Sequence, residues 1–125
     1  MKWMALAALT ASLLGQGRLR PPPGLPCTRD GLTSFTGVVT AYRRGSAELR
    51  LTVKTDDGTA EKFTWRWKKG EDAERWMLFA GERFTSARWR EIEKAPGVLK
   101  PGARVTVWVC QGGAQPVLDW QAPRQ

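Results

Sequence analysis

Two neighbouring segments of the chain alternate between apolar and polar residues, the pattern of strands that bury one face. In residues 47–55 (AELRLTVKT), the leucines and the valine share one face, and the charged residues share the other. In residues 60–68 (AEKFTWRWK), the aromatic residues fall on one face and the lysines and arginine on the opposite face. Between them, Asp56-Asp57-Gly58 is a strong turn signal, because Asp-Gly tolerates the positive φ angles of a tight hairpin. The pattern predicts an antiparallel hairpin with its tryptophans on the buried side.

Three further segments have the composition of strands. Residues 34–43 (SFTGVVTAYR) are rich in β-branched and aromatic side chains, and Gly37 within them predicts a bulge or a sharp bend. Residues 104–110 (RVTVWVC) place their valines on one face. Residues 115–120 (QPVLDW) form a last short strand, and the proline near its start suits the edge of a sheet.

The segment between the third and fourth predicted strands has a different pattern. Residues 71–94 contain no proline, and their apolar residues fit helical spacing in places. Gly81 is expected to end a first helix, and Thr85 to cap a second helix over residues 86–95. A short extra strand within residues 74–79 is the alternative to the first helix.

The N-terminus has the layout of a secretory signal peptide. Lys2 precedes an apolar run over residues 3–14, and Gly15-Gln16-Gly17 offers small residues for cleavage. The alternatives are a retained anchor, for which the run is short, and a buried N-terminal helix. The expected organisation is a signal peptide (1–17), a proline-rich arm (18–29), one domain (30–122) and a short tail (123–125), with no membrane span after cleavage.

The chain has two cysteines, Cys27 and Cys110. An exported chain with an even cysteine count favours a disulfide, and two buried free thiols are the alternative. The bond would close a loop of more than eighty residues and stabilise the fold by roughly 3–4 kcal/mol. The expected location is therefore the periplasm or the extracellular medium.

The net charge and the absence of certain residue types restrict the classes of function to be considered. The full chain carries 20 Lys and Arg against 12 Asp and Glu, and removal of residues 1–17 takes away one lysine and no acid. Such a surface attracts nucleic acid, acidic polysaccharide or anionic lipid. The chain has no histidine and no phosphate-binding glycine motif, and its cysteines are expected to be bonded. We therefore expect no catalytic residues, no metal ligands and no cofactor.

The order of predicted elements resembles an OB-fold protein. The resemblance covers residues 34–121 and is carried by the FTGVV strand, the DDG hairpin, the helical segment and the KPGARVTVWV strand. It implies a mainly β fold, a small five-stranded β-β-β-α-β-β barrel with a helical segment between strands 3 and 4, in a small exported bacterial protein. A six-stranded barrel or a small sandwich is the rival architecture. The chain is also similar in topology and charge to secreted nucleases of the staphylococcal type, but it lacks their run of arginine followed by aspartate, proline and glutamate.

The outward face of the second and third strands is the candidate site. Its predicted ligand-binding residues are Arg50, Lys54, Lys62, Arg66 and Lys68. In OB-fold proteins this face commonly binds oligonucleotides and oligosaccharides, so the resemblance implies an anionic ligand: nucleic acid, acidic glycan or an acidic protein surface. The face lacks an aromatic residue, and Tyr42, Trp108 and Trp120 are candidates to supply one from neighbouring strands. The alternatives are a merely solvated face and a protein-interaction or structural component of the cell envelope that docks through its proline-rich arm.

Overall fold

The computed structural model describes residues 20–122, so the predicted signal peptide and the tail lie outside the described residues. Within this range the protein is mainly β, as predicted. The α-helix α1 (Trp89–Ile92) has four residues, and short 3-10 helices cover Arg29–Gly31, Ala73–Trp76 and Ser86–Arg88. The strands are β1 (Leu32–Arg44), β2 (Glu48–Thr55), β3 (Ala60–Arg66), β4 (Met77–Phe79), β5 (Glu82–Arg83), β6 (Glu93–Ala95), β7 (Val98–Leu99), β8 (Arg104–Cys110) and β9 (Val117–Trp120).

Seven of these strands form one sheet in the order β3-β2-β1-β8-β9-β4-β5. The long strand β1 joins its two halves, because its first residues pair with β8 and its last residues pair with β2. All pairings in this sheet are antiparallel except that of β4 with β9, which is parallel. Strands β6 and β7 form a separate two-stranded sheet.

Gly37 lies in the part of β1 that pairs with both neighbours, opposite Thr55 of β2 and Val105 of β8. A Cβ atom at this position would lie 2.0 Å from the backbone oxygen of Lys54. Only glycine allows β1 and β2 to approach this closely. The register shift in β1 comes after Gly37, between Val39 and Ala41, so the bulge is not at the glycine.

The core lies on the inner face of the sheet, as the alternation predicts for β2 and β3. Its largest fully buried side chains are Trp65, Trp120, Leu49, Leu118, Val53, Val105 and Val107. Trp65 is 1% exposed, and its indole N–H donates to the carbonyl oxygen of Pro116 at 2.6 Å. Trp67, just beyond the end of β3, is half-buried, packs at a tilt against Trp76 and donates its indole N–H to the carbonyl of Ser46. The tryptophans of the hairpin therefore build the core wall.

The segment predicted as two helices contains mostly turns and short strands instead. The first predicted helix is replaced by a 3-10 turn and by β4, which is the short strand named as the alternative for residues 74–79. Met77 and Phe79 are buried in it with strand periodicity. The second stops at Ile92, and Glu93 begins strand β6. Contacts distant in sequence override helical propensity here, since β4 pairs with β9 and Glu93 contacts β1.

The N-terminal arm is tied to the sheet. Cys27 and Cys110 form a disulfide, with an S–S distance of 2.11 Å and a Cα–Cα distance of 5.7 Å, across 83 positions of sequence. Pro21, Pro22 and Leu25 of the arm are partly buried. None of the helices within residues 20–122 has the length and apolar character needed to cross a bilayer.

Candidate functional site

The five predicted ligand-binding residues are all exposed on the outer side of the β2–β3 hairpin. We call this surface the basic face; its predicted cations are Arg50 and Lys54 on β2, Lys62 and Arg66 on β3, and Lys68 two residues beyond the end of β3. Lys54 lies opposite Ala60 in the β2–β3 pairing, six residues from Arg66. Consecutive strand residues rise about 3.3 Å, so Lys54 and Arg66 lie roughly 20 Å apart along the hairpin. The structure therefore spreads the cations along the hairpin and does not gather all five around one ligand atom.

Among residues 20–122, Glu48 is the one acidic residue that forms ion pairs with the predicted cations, and it contacts two of them. Its carboxylate lies 2.5 Å from Nε of Arg50 and 3.0 Å from Nε of Arg66. Desolvation raises the pKa of Glu48, but the hydrogen bonds and charges of both arginines outweigh it and hold that pKa below its usual value. Glu48 is therefore ionised at neutral pH and orients the two guanidinium groups.

The three lysines of the set have no such partner. In the part of the chain that the structure describes, no carboxylate oxygen lies within 4.0 Å of the ammonium groups of Lys54, Lys62 or Lys68. A solvated strand surface usually mixes charges of both signs, because opposite pairs across strands stabilise a sheet and like pairs do not. The lysines thus leave an unneutralised positive field on this surface.

Arg43 of β1 extends the basic face, and sequence analysis missed it. It is exposed and lies directly opposite Arg50 in the β1–β2 pairing. A shallow, open groove of about 360 Å³ is lined by Arg43, Arg50 and Lys62, with the hydroxyls of Thr52 and Thr64 between them. None of the described residues that line this groove carries a carboxylate. The alternation of residues 41–43 could have indicated that Arg43 is exposed, but the bulge in β1 changes which side chains face outward.

Of the three aromatic residues considered as stacking platforms, two are buried and the third, Tyr42, is only partly exposed at the groove. Trp108 is 5% exposed and Trp120 is 1% exposed, so both belong to the interior. Tyr42 is half-buried, packs edge-on against Trp120 and donates its hydroxyl to Glu93. Tyr42 and Phe63 do line the groove, but Phe63 is also half-buried and packs against Phe35 and Trp65, so neither aromatic residue is fully exposed there.

A second cluster, also missed, connects β1 to the segment around α1. Both carboxylate oxygens of Glu93 accept hydrogen bonds from Arg44, at 2.8 Å from Nε and 2.6 Å from Nη2. The Arg44 guanidinium lies over the ring of Trp89, 4.3 Å from its centroid. Sequence analysis could not find this cluster, because Glu93 fell within a predicted helix and its partners lie about fifty positions earlier.

In this cluster, burial and hydrogen bonding shift the pKa of Glu93 in opposite directions. Burial by itself raises the pKa of Glu93, but hydrogen bonds from Arg44, Tyr42 and the backbone of Gly97, with the charge of Arg44, outweigh it and lower that pKa. Burial, together with the neighbouring Glu93, raises the pKa of Tyr42 well above its usual value. The hydrogen bond to Glu93 is the largest of the effects that raise the pKa of Arg44. At neutral pH the cluster thus holds an ion pair and a neutral tyrosine.

Within residues 20–122, no group of three or more Cys, Asp and Glu residues is placed to hold a metal ion. Comparisons of the chain with protein-family models, curated proteins and solved structures find no match.

Proposed function

We propose that this protein is an exported, non-catalytic module that binds an acidic glycan through the basic face. The observation that carries the proposal is the groove lined by Arg43, Arg50 and Lys62, which contains two threonine hydroxyls and no carboxylate. Sulfate or carboxylate groups gain charge-assisted hydrogen bonds from such a surface. Because the groove is open and exposed, its affinity falls as salt screens the charges.

The proposed scaffold is an OB-like barrel made of β1, β2, β3, β8 and β9. Two features support it: β1 pairs with both β2 and β8, and the end of β3 contacts the residues just before β9. Besides the bond from Trp65 to Pro116, the Gln115 side-chain amide accepts from the backbone N–H of Arg66 and donates to the Arg66 carbonyl. In this scaffold the segment 71–99 occupies the connection between the third and fourth barrel strands, and the basic face lies where OB-like proteins bind polymers.

Two observations favour a glycan over nucleic acid. Base stacking on aromatic side chains supports much of single-strand binding, and the two aromatic residues that line the groove, Tyr42 and Phe63, are half-buried and packed against other aromatic rings. The disulfide is typical of proteins in the periplasm or outside the cell and is rare in cytosolic and nuclear proteins.

The test is a titration against a fluorescent heparin-derived oligosaccharide and a single-stranded DNA of similar charge, at low and at physiological salt. The double variant Arg43→Glu/Lys62→Glu reverses two groove cations. The control Arg29→Glu/Arg83→Glu makes the same change in net charge at two exposed arginines outside the groove. We expect saturable, salt-sensitive glycan binding that weakens at least about 10-fold in the groove variant and stays within about threefold in the control.

No glycan binding at low salt, or an equal loss in both variants, would contradict the proposal. If DNA binds more strongly than the glycan and depends on the groove in the same way, the ligand would be assigned as nucleic acid.

The second candidate is a protein-interaction or structural component of the cell envelope. It draws support from the arm, which the disulfide holds against the sheet as a fixed surface. Deletion of residues 18–26 would then abolish capture of an envelope partner, while Arg66→Glu/Lys68→Glu would leave it intact. Under the glycan proposal the deletion leaves oligosaccharide affinity unchanged.

A further inference from the structure

A second, larger cleft lies beside the tryptophan of α1, apart from the basic face. It measures about 700 Å³, and we call it the Trp89 cleft; it is lined chiefly by Arg44, Trp89, Arg90, Lys94, Pro96 and Lys100. Arg43 and Arg44 are neighbours on β1 and contribute to different surfaces, since Arg43 lines the groove of the basic face and Arg44 lines this cleft. Like the groove of the basic face, this cleft is shallow and open to solvent.

Arg44 is held in one orientation at the inner wall of the cleft. Its Nε and Nη2 atoms donate to Glu93, whose side chain is 4% exposed, and its flat face lies over Trp89. These contacts occupy one edge and one face of the guanidinium. The Tyr42 hydroxyl also lies close to this guanidinium. The N–H donors on Nη1 have no acceptor among residues 20–122, and 30% of the side chain is exposed. The free edge of Arg44 is therefore a fixed donor that is available to an anion.

The rim of the cleft adds positive charge that nothing nearby neutralises. Arg90, Lys94 and Lys100 are exposed, and none of them forms an ion pair with a described carboxylate. The carboxylate of Glu93, which also lines the cleft, is already bonded to Arg44 and Tyr42. The field inside the cleft therefore favours a negatively charged ligand.

The cleft also has an ordered apolar wall. The Trp89 indole N–H donates to Glu74 at 2.7 Å, and its ring packs edge-on against Phe84 at a centroid distance of 5.0 Å. Pro96 adds a second rigid apolar surface. Since Arg44 and Trp89 are both fixed before any ligand arrives, binding loses little side-chain entropy.

We propose that the Trp89 cleft binds one acidic sugar unit, with its anionic group on the free edge of Arg44 and its ring against Trp89 and Pro96. Lys94 and Lys100 attract the same anionic group from the rim. The assignment of a sugar rests on the proposed glycan function, whereas the preference for an anion rests on the cleft itself. Carboxylate and sulfate groups share the chemistry that this site recognises.

The experiment is an NMR titration of the ¹⁵N-labelled protein with three disaccharides: a sulfated heparin disaccharide, digalacturonate, which carries carboxylates alone, and neutral maltose. The readouts are the indole N–H signal of Trp89, the backbone signals of residues 93–100 and the dissociation constant. Three variants are compared: Lys94→Glu/Lys100→Glu in the cleft, Arg43→Glu/Lys62→Glu on the basic face, and Arg29→Glu/Arg83→Glu as the charge control. Arg44→Lys keeps the charge of Arg44 but removes the planar edge, and it serves as a second cleft variant.

We expect at least one acidic disaccharide to shift the Trp89 indole signal and to bind at least about 10-fold more weakly to Lys94→Glu/Lys100→Glu. The basic-face variant and the charge control should keep the disaccharide affinity within about threefold. Which acidic disaccharide binds more tightly tells whether carboxylate or sulfate is preferred. Weaker binding to Arg44→Lys, with the fold retained, would support the role of the planar edge.

Three results would overturn the inference: no shift at Trp89 with either acidic disaccharide, an equal response to maltose, or an equal loss of affinity in the charge control. The two proposals fail separately. If only the basic-face variant loses binding of the long oligosaccharide and no ligand affects Trp89, the result contradicts the cleft proposal and supports the basic face. If a disaccharide binds at Trp89 and Arg43→Glu/Lys62→Glu has no effect on the long oligosaccharide, the result contradicts the basic-face proposal and supports the cleft.

Discussion

Gly37 shows how a single residue permits the shape of the sheet. We expect Gly37→Ala to lower the free energy of unfolding by at least about 1–3 kcal/mol, because its Cβ would lie 2.0 Å from a backbone oxygen that cannot rotate away. Gly31→Ala is the matched control, since a Cβ there lies 3.8 Å from the side chain of Gln111. Urea denaturation measures both, and equal stability of the two variants would contradict the close approach of β1 and β2.

The Glu93 ion pair predicts a specific dependence of stability on pH. The pKa of Glu93 is lowered in the folded protein, so its contribution is complete above its ordinary pKa of 4.5 and is lost as the pH falls through the lower folded value. Glu93→Gln leaves Arg44 without its carboxylate and should cost about 1–3 kcal/mol at pH 7. The difference from the native protein should shrink towards pH 3.

Urea denaturation of both proteins between pH 3 and pH 7 measures this difference. The comparison with Glu93→Gln isolates Glu93, because burial raises the pKa of Asp119 and gives that residue the opposite pH dependence in both proteins. Tyr42→Phe is the milder control and should cost about 0.5–1.5 kcal/mol. A difference that stays constant with pH would contradict an ionised, paired Glu93.

At the residue scale, the sequence predicted which side chains are buried better than it predicted which side chains contact each other. The alternation in residues 47–68 predicted which side chains of the hairpin face the core, since a strand places successive residues on opposite faces. It did not predict the pairing of Glu93 with Arg44, because that contact depends on how two distant segments are brought together.

At the scale of elements, Gln115 connects the edge strand β3 to the segment before β9. Its side-chain amide makes two hydrogen bonds with the backbone of Arg66, at 2.7 Å and 2.9 Å. We expect Gln115→Ala to speed hydrogen exchange at the Arg66 amide about 5- to 10-fold, which corresponds to the loss of about 1 kcal/mol. Gln111→Ala changes an exposed turn residue and should leave that amide unaffected. Unchanged exchange in Gln115→Ala would mean that the end of β3 is held by other contacts.

The elements that the sequence predicted well are those set by local signals. The β2–β3 hairpin has clean alternation and an Asp-Gly turn, so its bounds were predicted to within two residues. Residues 71–94 were predicted as mainly helical, with a short extra strand within residues 74–79 as the alternative. That strand, Met77–Phe79, forms through parallel pairing with β9, some forty positions later. No local pattern encodes such a pairing, which is why the sequence left helix and strand open over these residues.

At the scale of the whole molecule, the disulfide restricts the unfolded chain. It closes a long loop, so Cys27→Ser/Cys110→Ser should lower the free energy of unfolding by roughly 3–4 kcal/mol. Urea denaturation with and without reductant measures this loss: reductant should destabilise the native protein by the same amount and leave the variant unchanged. A loss below about 1 kcal/mol would mean that the arm is held mainly by its packing.

The candidate site could be predicted from the sequence only in part. Charge patterning along β2 and β3 identified the five cations, because their exposure follows from strand alternation. It did not reveal that Glu48 bridges Arg50 and Arg66, nor that Arg43 completes the groove, since both depend on strand register and on the bulge in β1. The site is better described as a groove among β1, β2 and β3 than as a uniform strip of charge.

The most direct test of the basic face is the salt dependence of heparin-oligosaccharide affinity in the native protein, Lys62→Ala and Arg83→Ala. Each cation that contacts a dense polyanion releases about one counterion, so removing a contacting cation lowers the slope of log affinity against log salt by about 1. We predict that slope change for Lys62→Ala and none for Arg83→Ala. An unchanged slope in Lys62→Ala, or an equal change in both variants, would contradict glycan binding by this groove.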